Sequence, residues 1–290
     1  MNGPPKLPHD CPYRSAPQSD KMRFLLKESV FQGGFPLDLI ELQREFIERV
    51  EAASGKPVIL QSDPKFAGHA TIKIATKEQP AHLLRYKPGQ ESVLPYLVAF
   101  ECEFALRTIQ ADPSTQFNLA AKTDMLQEVL ELMQNHHQGK DDIPSHAVPQ
   151  LATQFGNGLG LQLRSMPITM RIDKQLHDAH PELSELQHES IDRQLQENMG
   201  ALSPRAKVLS PDEIIRPNAS MNAAFAKFFA GLWNAPMVFA PYVAAGYGEA
   251  ANALLAFHEQ IPAGSDHDRE LVDAWAKYTG LDLWFETEGR

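Results

Sequence analysis

One short stretch of the sequence combines residue types that could support catalysis. Glu101 follows Phe100 directly, and Cys102 and Glu103 separate it from Phe104. Positions 100 and 104 are four residues apart, so they share one side of a helix. Two histidines at this spacing, with a glutamate after the first, would form a zinc site with a general base. Phenylalanine has no lone pair to offer a metal, so the stretch has the spacing of a metal site without the ligands.

The surrounding residues extend this comparison. Ala99 precedes the stretch, and an Ala-Leu-Arg sequence follows it at 105–107. The predicted elements run in the order helix (36–55), small sheet (57–86) and helix (91–109). Over about residues 36–180 the chain therefore resembles the ImmA/IrrE type of zincin-like domain, with a degenerate form of its motif.

This resemblance implies a role for each matching position. Phe100 and Phe104 stand where the two histidine ligands would be, and Glu101 stands where the general base would be. The family's third ligand lies on a later helix and is commonly acidic, which assigns it to Asp173. The resemblance thus implies a scaffold without metal and without a cofactor. Glu101 is the catalytic candidate if the protein is active.

Two interpretations of the stretch remain open. In the first, a cleft lined by Phe100, Glu101 and Phe104 is retained for binding, and Arg85 and Asp173 contribute to it. An extended peptide would then bind by strand addition along residues 81–86. In the second, the helix is unrelated to that family and the phenyl rings pack into the core. Glu101 or Glu103 is then solvated or pairs with an arginine such as Arg85 or Arg107.

Other chemistry-bearing patterns are weaker. His177 and His180 are three residues apart and could share a helix face, but the sequence assigns them no third ligand. The sequence contains no G-x-S-x-G nucleophile motif. The glycine cluster at 156–160 lacks the Lys-Ser/Thr of a phosphate-binding loop, so it indicates close helix packing or a kink.

Hydrophobic spacing predicts an α+β fold that is predominantly helical. Short strands are expected at 57–61, 70–75 and 81–86, after an amphipathic helix that Gly55 ends. Later helices are expected at 123–137, 144–164, 167–179, 181–199, 210–233 (with a break at Pro217), 247–260 and 266–279.

Composition limits the class of protein. The chain has 290 residues, of which 43% are hydrophobic, and a net charge of −10, which disfavours nucleic acid as a partner. Only two cysteines occur, so a reducing, cytoplasmic location is expected. Residues 228–248 carry no charge, but prolines and glycines interrupt them repeatedly, so no membrane span is expected there.

The predicted organisation has three parts: a flexible arm at 1–21, a zincin-like domain at 22–201 and an acidic helical region at 202–290. The last boundary is soft, and one integrated domain is the alternative. Residues 146–290 carry a net charge of −7 and residues 1–145 a net charge of −3, so a basic partner would dock on the C-terminal region.

The leading hypothesis is a non-catalytic interaction or regulatory protein with a protein partner that is basic or presented as an extended peptide. One alternative is a peptidase-like hydrolase that uses Glu101, Asp173 and one or both of His177 and His180. A second alternative is a nucleic-acid-associated protein with a local basic patch, for which the candidates are Arg164, Arg171, Arg193, Arg205 and Lys207. The sequence does not determine the oligomeric state.

Overall fold

The computed structural model describes residues 36–140 and 143–289. The predicted arm at 1–21 lies outside these residues. The first described helix, α1 (Leu37–Ser54), confirms the amphipathic pattern, with Phe46 and Val50 among its buried residues. It ends at Gly55, whose φ of 70° is a left-handed conformation that glycine adopts without steric cost.

A three-stranded sheet follows α1. It consists of β1 (Val58–Ser62), β2 (Ala70–Lys73) and β3 (His82–Tyr86), in the spatial order β1-β3-β2. Strand β3 runs parallel to β1 and antiparallel to β2. The three strands were predicted, and the structure adds that β3 is central and that β2 lies at an edge.

Helix α2 (Leu94–Gln110) follows β3 and packs against α1. Most of its residues are buried, including Tyr96 and Cys102. The predicted order of helix, small sheet and helix is therefore confirmed.

The rest of the described chain is mostly helical. After β4 (Phe117–Ala121) come α3 (Met125–His137), α4 (Val148–Ala179), α5 (Ser184–Asn198), α6 (Pro204–Leu209), α7 (Asp212–Leu232), α8 (Ala240–Ala244), α9 (Gly248–Gln260), α10 (Asp268–Thr279) and β5 (Phe285–Gly289). The fold is α+β and predominantly helical, as predicted. Within the described ranges, no helix has both the length and the apolar composition needed to cross a membrane.

The predicted interruptions at two prolines are wrong. Pro167 lies inside α4 and Pro217 lies inside α7, so each helix continues where a break was expected. A proline removes one helical hydrogen bond and crowds the preceding turn. Both rings are buried, and we attribute the continuity of the helices to the packing around them.

A second sheet was not predicted. Strands β4 and β5 pair antiparallel, which joins residue 117 to residue 289. Next to this sheet Gly160 of α4 lies against Phe285, and a Cβ atom at position 160 would be 2.6 Å from Cε1 of Phe285. The glycine cluster therefore serves close packing, one of the two roles predicted for it.

The hydrophobic core is a single cluster that includes residues from both sides of position 202, such as Phe46, Val98 and Trp275. A buried polar network reinforces it. Asp268 at the start of α10 pairs with Arg107 of α2 and with Arg171 of α4. Hydrophobic and ionic contacts thus connect the regions before and after the soft boundary predicted at residue 202.

Candidate functional site

The aromatic residues of α2 occupy a half-buried position. Phe100 and Phe104 pack against the core with part of each ring accessible. The Phe100 ring lies 6.2 Å from the ring of Tyr96, one turn earlier in the helix. The guanidinium of Arg164 lies 5.6 Å from the Phe104 ring and 4.4 Å from the Phe117 ring. The two rings thus have different neighbours along one side of the helix.

Glu101 is hydrogen-bonded to the three-stranded sheet. Its side chain is buried, and Oε2 accepts a hydrogen bond of 2.8 Å from the backbone amide of Ile72 in β2. Burial raises the pKa of Glu101 to about 7, although the bond from Ile72 acts in the opposite direction. The carboxylate of Glu101 therefore accepts from the amide of Ile72, which does not donate to β3, the neighbouring strand.

This arrangement corrects the predicted mode of peptide binding. Strand addition along residues 81–86 is not possible, because β3 has β1 on one side and β2 on the other. At β2 the amide of Ile72, which an added strand would need, already donates to Glu101. The prediction failed because the sequence gives the strands but not their order in the sheet.

Asp173 lies fully buried on α4. Its Oδ1 accepts hydrogen bonds from Tyr96 Oη at 2.7 Å and from Gln187 Nε2 at 3.1 Å. Its Oδ2 has no hydrogen-bond partner among the described residues. Burial raises the pKa of Asp173 to about 7 and that of Tyr96 well above its usual value. The structure thus links Asp173 to the start of α2 through Tyr96, whose ring also neighbours Phe100.

Arg85 does not join this group. Its side chain pairs with Asp63 at 3.3 Å and lies over the ring of Phe66. The neighbouring residue Leu84 is fully buried, and alternation along the strand directs Arg85 to the opposite face of β3. The second interpretation of the stretch expected Glu101 or Glu103 to pair with an arginine, with Arg85 and Arg107 as examples. Glu103 does pair with an arginine, but this is Arg49, at 2.7 Å.

The two candidate histidines make separate contacts. His180 Nδ1 lies 3.1 Å from Glu182 Oε1, and its ring meets the Phe46 ring edge-on. His177 Nδ1 is buried without a hydrogen-bond partner among the described residues. Across residues 36–140 and 143–289, no three His, Cys, Asp or Glu side chains form a group that could hold a metal ion.

The proposed basic patch does not form as one surface. Arg171 is buried and bonds to Asp268 and to the carbonyl of Ile261. Arg164 stacks on aromatic rings, and Arg193 pairs with Glu189. Binding to a phosphate backbone requires accessible cations along one face of the protein. The side chains of Arg171, Arg164 and Arg193 instead contact other residues of this chain.

The sequence did not predict a groove between α3, the start of α7 and the turn before β5. The groove has a volume of about 590 Å³. Four exposed carboxylates line it: Glu128, Glu131, Asp212 and Glu213. Among the described residues of the lining the only cation is Arg216, which leaves these residues with a net charge of −3. None of the four carboxylates forms an ion pair with another described residue.

The groove also has an apolar surface. Leu132, Pro217, Leu281, Leu283 and Trp284 contribute to it. Leu283 is 70% exposed, whereas Trp284 is buried and donates from Nε1 to Glu128 Oε2 at 3.0 Å. The one sequence feature that points to this groove is the three-residue spacing of Glu128 and Glu131, which places both side chains on one face of α3.

Comparisons of the chain with protein-family models, with curated proteins and with solved structures found no match. Functional conclusions therefore depend on the geometry of the chain itself.

Proposed function

We propose that the protein is a non-catalytic interaction or regulatory protein built on a metal-free zincin-like scaffold. One observation carries this proposal: the carboxylate of Glu101, at the position of the general base, is buried and bonded to the amide of Ile72. A general base needs access to the proton that it removes. Glu101 instead holds an edge strand against α2.

The neighbouring positions support the same conclusion. Phe100 and Phe104 have no lone pair for a metal, and both rings pack against the core. Asp173 accepts hydrogen bonds from Tyr96 and Gln187. The side chains that would perform catalysis in a related enzyme thus contribute to packing and to buried hydrogen bonds.

The geometry gives less support to a hydrolase. Such an enzyme would need Glu101, Asp173 and a histidine around one substrate-accessible space. Both carboxylates are buried, and His180 contacts Glu182 and Phe46. The two grooves of about 590 and 880 Å³ are lined by none of these residues. The accessible surface therefore favours binding over hydrolysis.

We also propose a cytoplasmic location. Cys102 is a free thiol that is fully buried, and burial strongly raises its pKa, which makes the thiol unreactive. A chain with only two cysteines is typical of a reducing compartment.

Two measurements on one preparation test the proposed function. Protein purified without chelator is analysed for zinc, and hydrolysis of a fluorogenic casein substrate is compared between the wild type and Glu101→Gln. We expect substoichiometric zinc and no hydrolysis above the buffer blank in either protein. One zinc per chain, or hydrolysis that Glu101→Gln abolishes, would overturn the non-catalytic assignment.

A third measurement tests the interaction itself. The protein is isolated from its native host after mild crosslinking, and the mass of the complex is compared with that of the chain alone. A complex of defined stoichiometry with another protein is expected. Recovery of the chain alone at all crosslinker concentrations would count against an interaction protein.

A further inference from the structure

The groove lined by Glu128, Glu131, Asp212 and Glu213, here called the acidic groove, differs in charge from a second groove. The second groove has a volume of about 880 Å³, and its lining mixes three carboxylates (Asp266, Glu270 and Asp273) with Arg269 and Lys277. Opposite charges therefore nearly balance there. The described residues that line the acidic groove include four carboxylates and a single arginine, so this lining favours a cationic ligand.

The carboxylates that line the acidic groove come from two helices. Glu128 and Glu131 lie on α3, and Asp212 and Glu213 lie in the first turn of α7. Leu283 lines the same groove and is 70% exposed, and the next residue, Trp284, is buried. A ligand that fits this lining has both cationic and apolar side chains.

We propose that the acidic groove binds a basic amphipathic segment of a partner protein, with an apolar side chain seated on Leu283 and Lys or Arg side chains on the four carboxylates. This inference rests on the proposed interaction function and names its surface and its partner class. Grooves of this kind commonly accept a helix through one apolar face. The charged contacts lie at an exposed rim, so they contribute mainly to specificity and to the rate of association.

The carboxylates are available for such contacts. None of them has a cationic partner among the described residues, so a Lys or Arg of the partner would not have to displace an existing ion pair. Glu128 is already oriented, because it accepts a hydrogen bond from the indole of Trp284. The proposed partner segment must therefore carry both a positive charge and an apolar side chain.

Fluorescence anisotropy with synthetic peptides tests the proposal on the full chain. The probe is a labelled peptide with Leu and Lys at helical spacing. Two comparison peptides replace Lys by Glu or Leu by Ser. We expect saturable binding of the Leu-Lys peptide that weakens at least tenfold between 50 mM and 500 mM NaCl, a range chosen because salt screens exposed charges. The two comparison peptides should bind at least tenfold more weakly.

Two groove variants and one matched control complete the test. Glu131→Lys with Glu213→Lys should weaken binding at least tenfold, and Leu283→Ser should weaken it several-fold. Glu41→Lys with Glu45→Lys changes the net charge equally on the exposed side of α1, and should change the affinity less than threefold. Circular dichroism verifies that each variant keeps the helical content of the wild type.

Each contrary result has a defined meaning. The assignment is overturned if the wild type does not bind the Leu-Lys peptide, if the acidic peptide binds equally well, or if the control variant weakens binding as much as the groove variant. A wild-type dimer that Leu283→Ser dissociates in light scattering would assign the groove to a second copy of the chain instead. A crosslinked complex that survives the groove variants would reject this surface but leave the proposed interaction function intact.

Discussion

Arg107 and Asp268 form a two-point ion pair although 161 residues separate them in the sequence. Arg107 Nε lies 2.5 Å from Oδ2 of Asp268, and Nη2 lies 2.7 Å from Oδ1. Arg171 reaches the same carboxylate at 3.1 Å. One acid at the start of α10 therefore connects α2 and α4, the helices that carry Glu101 and Asp173.

Replacing Asp268 by Asn should strongly destabilise the protein. The change leaves Arg107 and Arg171 without their counter-ion, and the side chain of Arg171 is only 4% exposed. Removing one partner of a buried ion pair typically costs about 3–5 kcal/mol. Urea unfolding measures this loss. The control is Asp178→Asn, which removes an exposed pair with Lys174 and should cost less than about 1 kcal/mol. Equal effects of the two variants would contradict a structural role for the buried network.

The stability should fall as the pH rises from 5 to 8. The pKa of Glu101 is raised to about 7 in the folded protein from an ordinary value of 4.5, so the folded state holds this proton more tightly than the unfolded state. The stabilisation is fully present below the unfolded pKa and is lost as the pH passes through the folded pKa. Glu101 alone accounts for about 2 kcal/mol over this range.

Glu101→Gln isolates this contribution. The amide oxygen of Gln can still accept from Ile72, and the side chain no longer titrates. Urea unfolding at pH 5, 6, 7 and 8 should give a shallower pH dependence for this variant than for the wild type. Glu45→Gln on the exposed side of α1 should leave the wild-type slope unchanged. Identical slopes for the wild type and Glu101→Gln would mean that Glu101 does not titrate in this range. The slope that remains includes contributions from two groups: Asp173, whose pKa is also raised to about 7, lowers the stability as the pH rises, and His258, whose pKa burial lowers to about 3, acts in the opposite direction.

Two glycines of α4 should respond to alanine in opposite directions. At Gly160 a Cβ atom would meet Phe285 at 2.6 Å, so Gly160→Ala should destabilise by about 1–3 kcal/mol. At Gly158 nothing lies within 4 Å, so Gly158→Ala should stabilise by up to about 1 kcal/mol through helix propensity. Thermal unfolding of both variants measures the difference. A stabilising Gly160→Ala would show that the strand carrying Phe285 moves away without loss.

Histidines at positions 100 and 104 test the zincin-like resemblance. If Phe100 and Phe104 stand at ligand positions and Asp173 at the third, the double variant Phe100→His/Phe104→His should bind one Zn²⁺ per chain. Adding Asp173→Asn should weaken zinc binding at least tenfold, since it replaces a charged ligand by a neutral one. Calorimetric titration with ZnCl₂ measures both affinities. Zinc binding that Asp173→Asn leaves unchanged would contradict the assignment of Asp173.

The predictable part of the fold is the part with local causes. Helix α1 follows from apolar residues three and four apart and from Gly55 at its end, and both features lie within the helix itself. The β4–β5 pair has no local signal, because its strands are short and lie at distant points of the chain. Pro167 argued for a break, and tertiary packing overrode that preference.

The candidate site also has a part that local sequence features predict and a part that depends on distant contacts. Spacing identified Phe100, Glu101 and Phe104 as positions on one helix, but only the strand order shows that Glu101 is bound to Ile72. The acidic groove is assembled from α3, α7 and the turn that contains Leu283. No pattern within any one of these segments indicates that they meet.

The β4–β5 pair also constrains when the protein can fold. Strand β4 lies in the first half of the chain, and its partner consists of the last five described residues, Phe285–Gly289. During synthesis β4 can therefore pair with β5 only after the ribosome has made residues 285–289. The same delay applies to Arg107, which cannot meet Asp268 before α10 exists. We conclude that the described fold cannot be completed before residues 285–289 have been made, and that a chain arrested near residue 200 would leave β4 without its partner strand and Arg107 and Arg171 without Asp268.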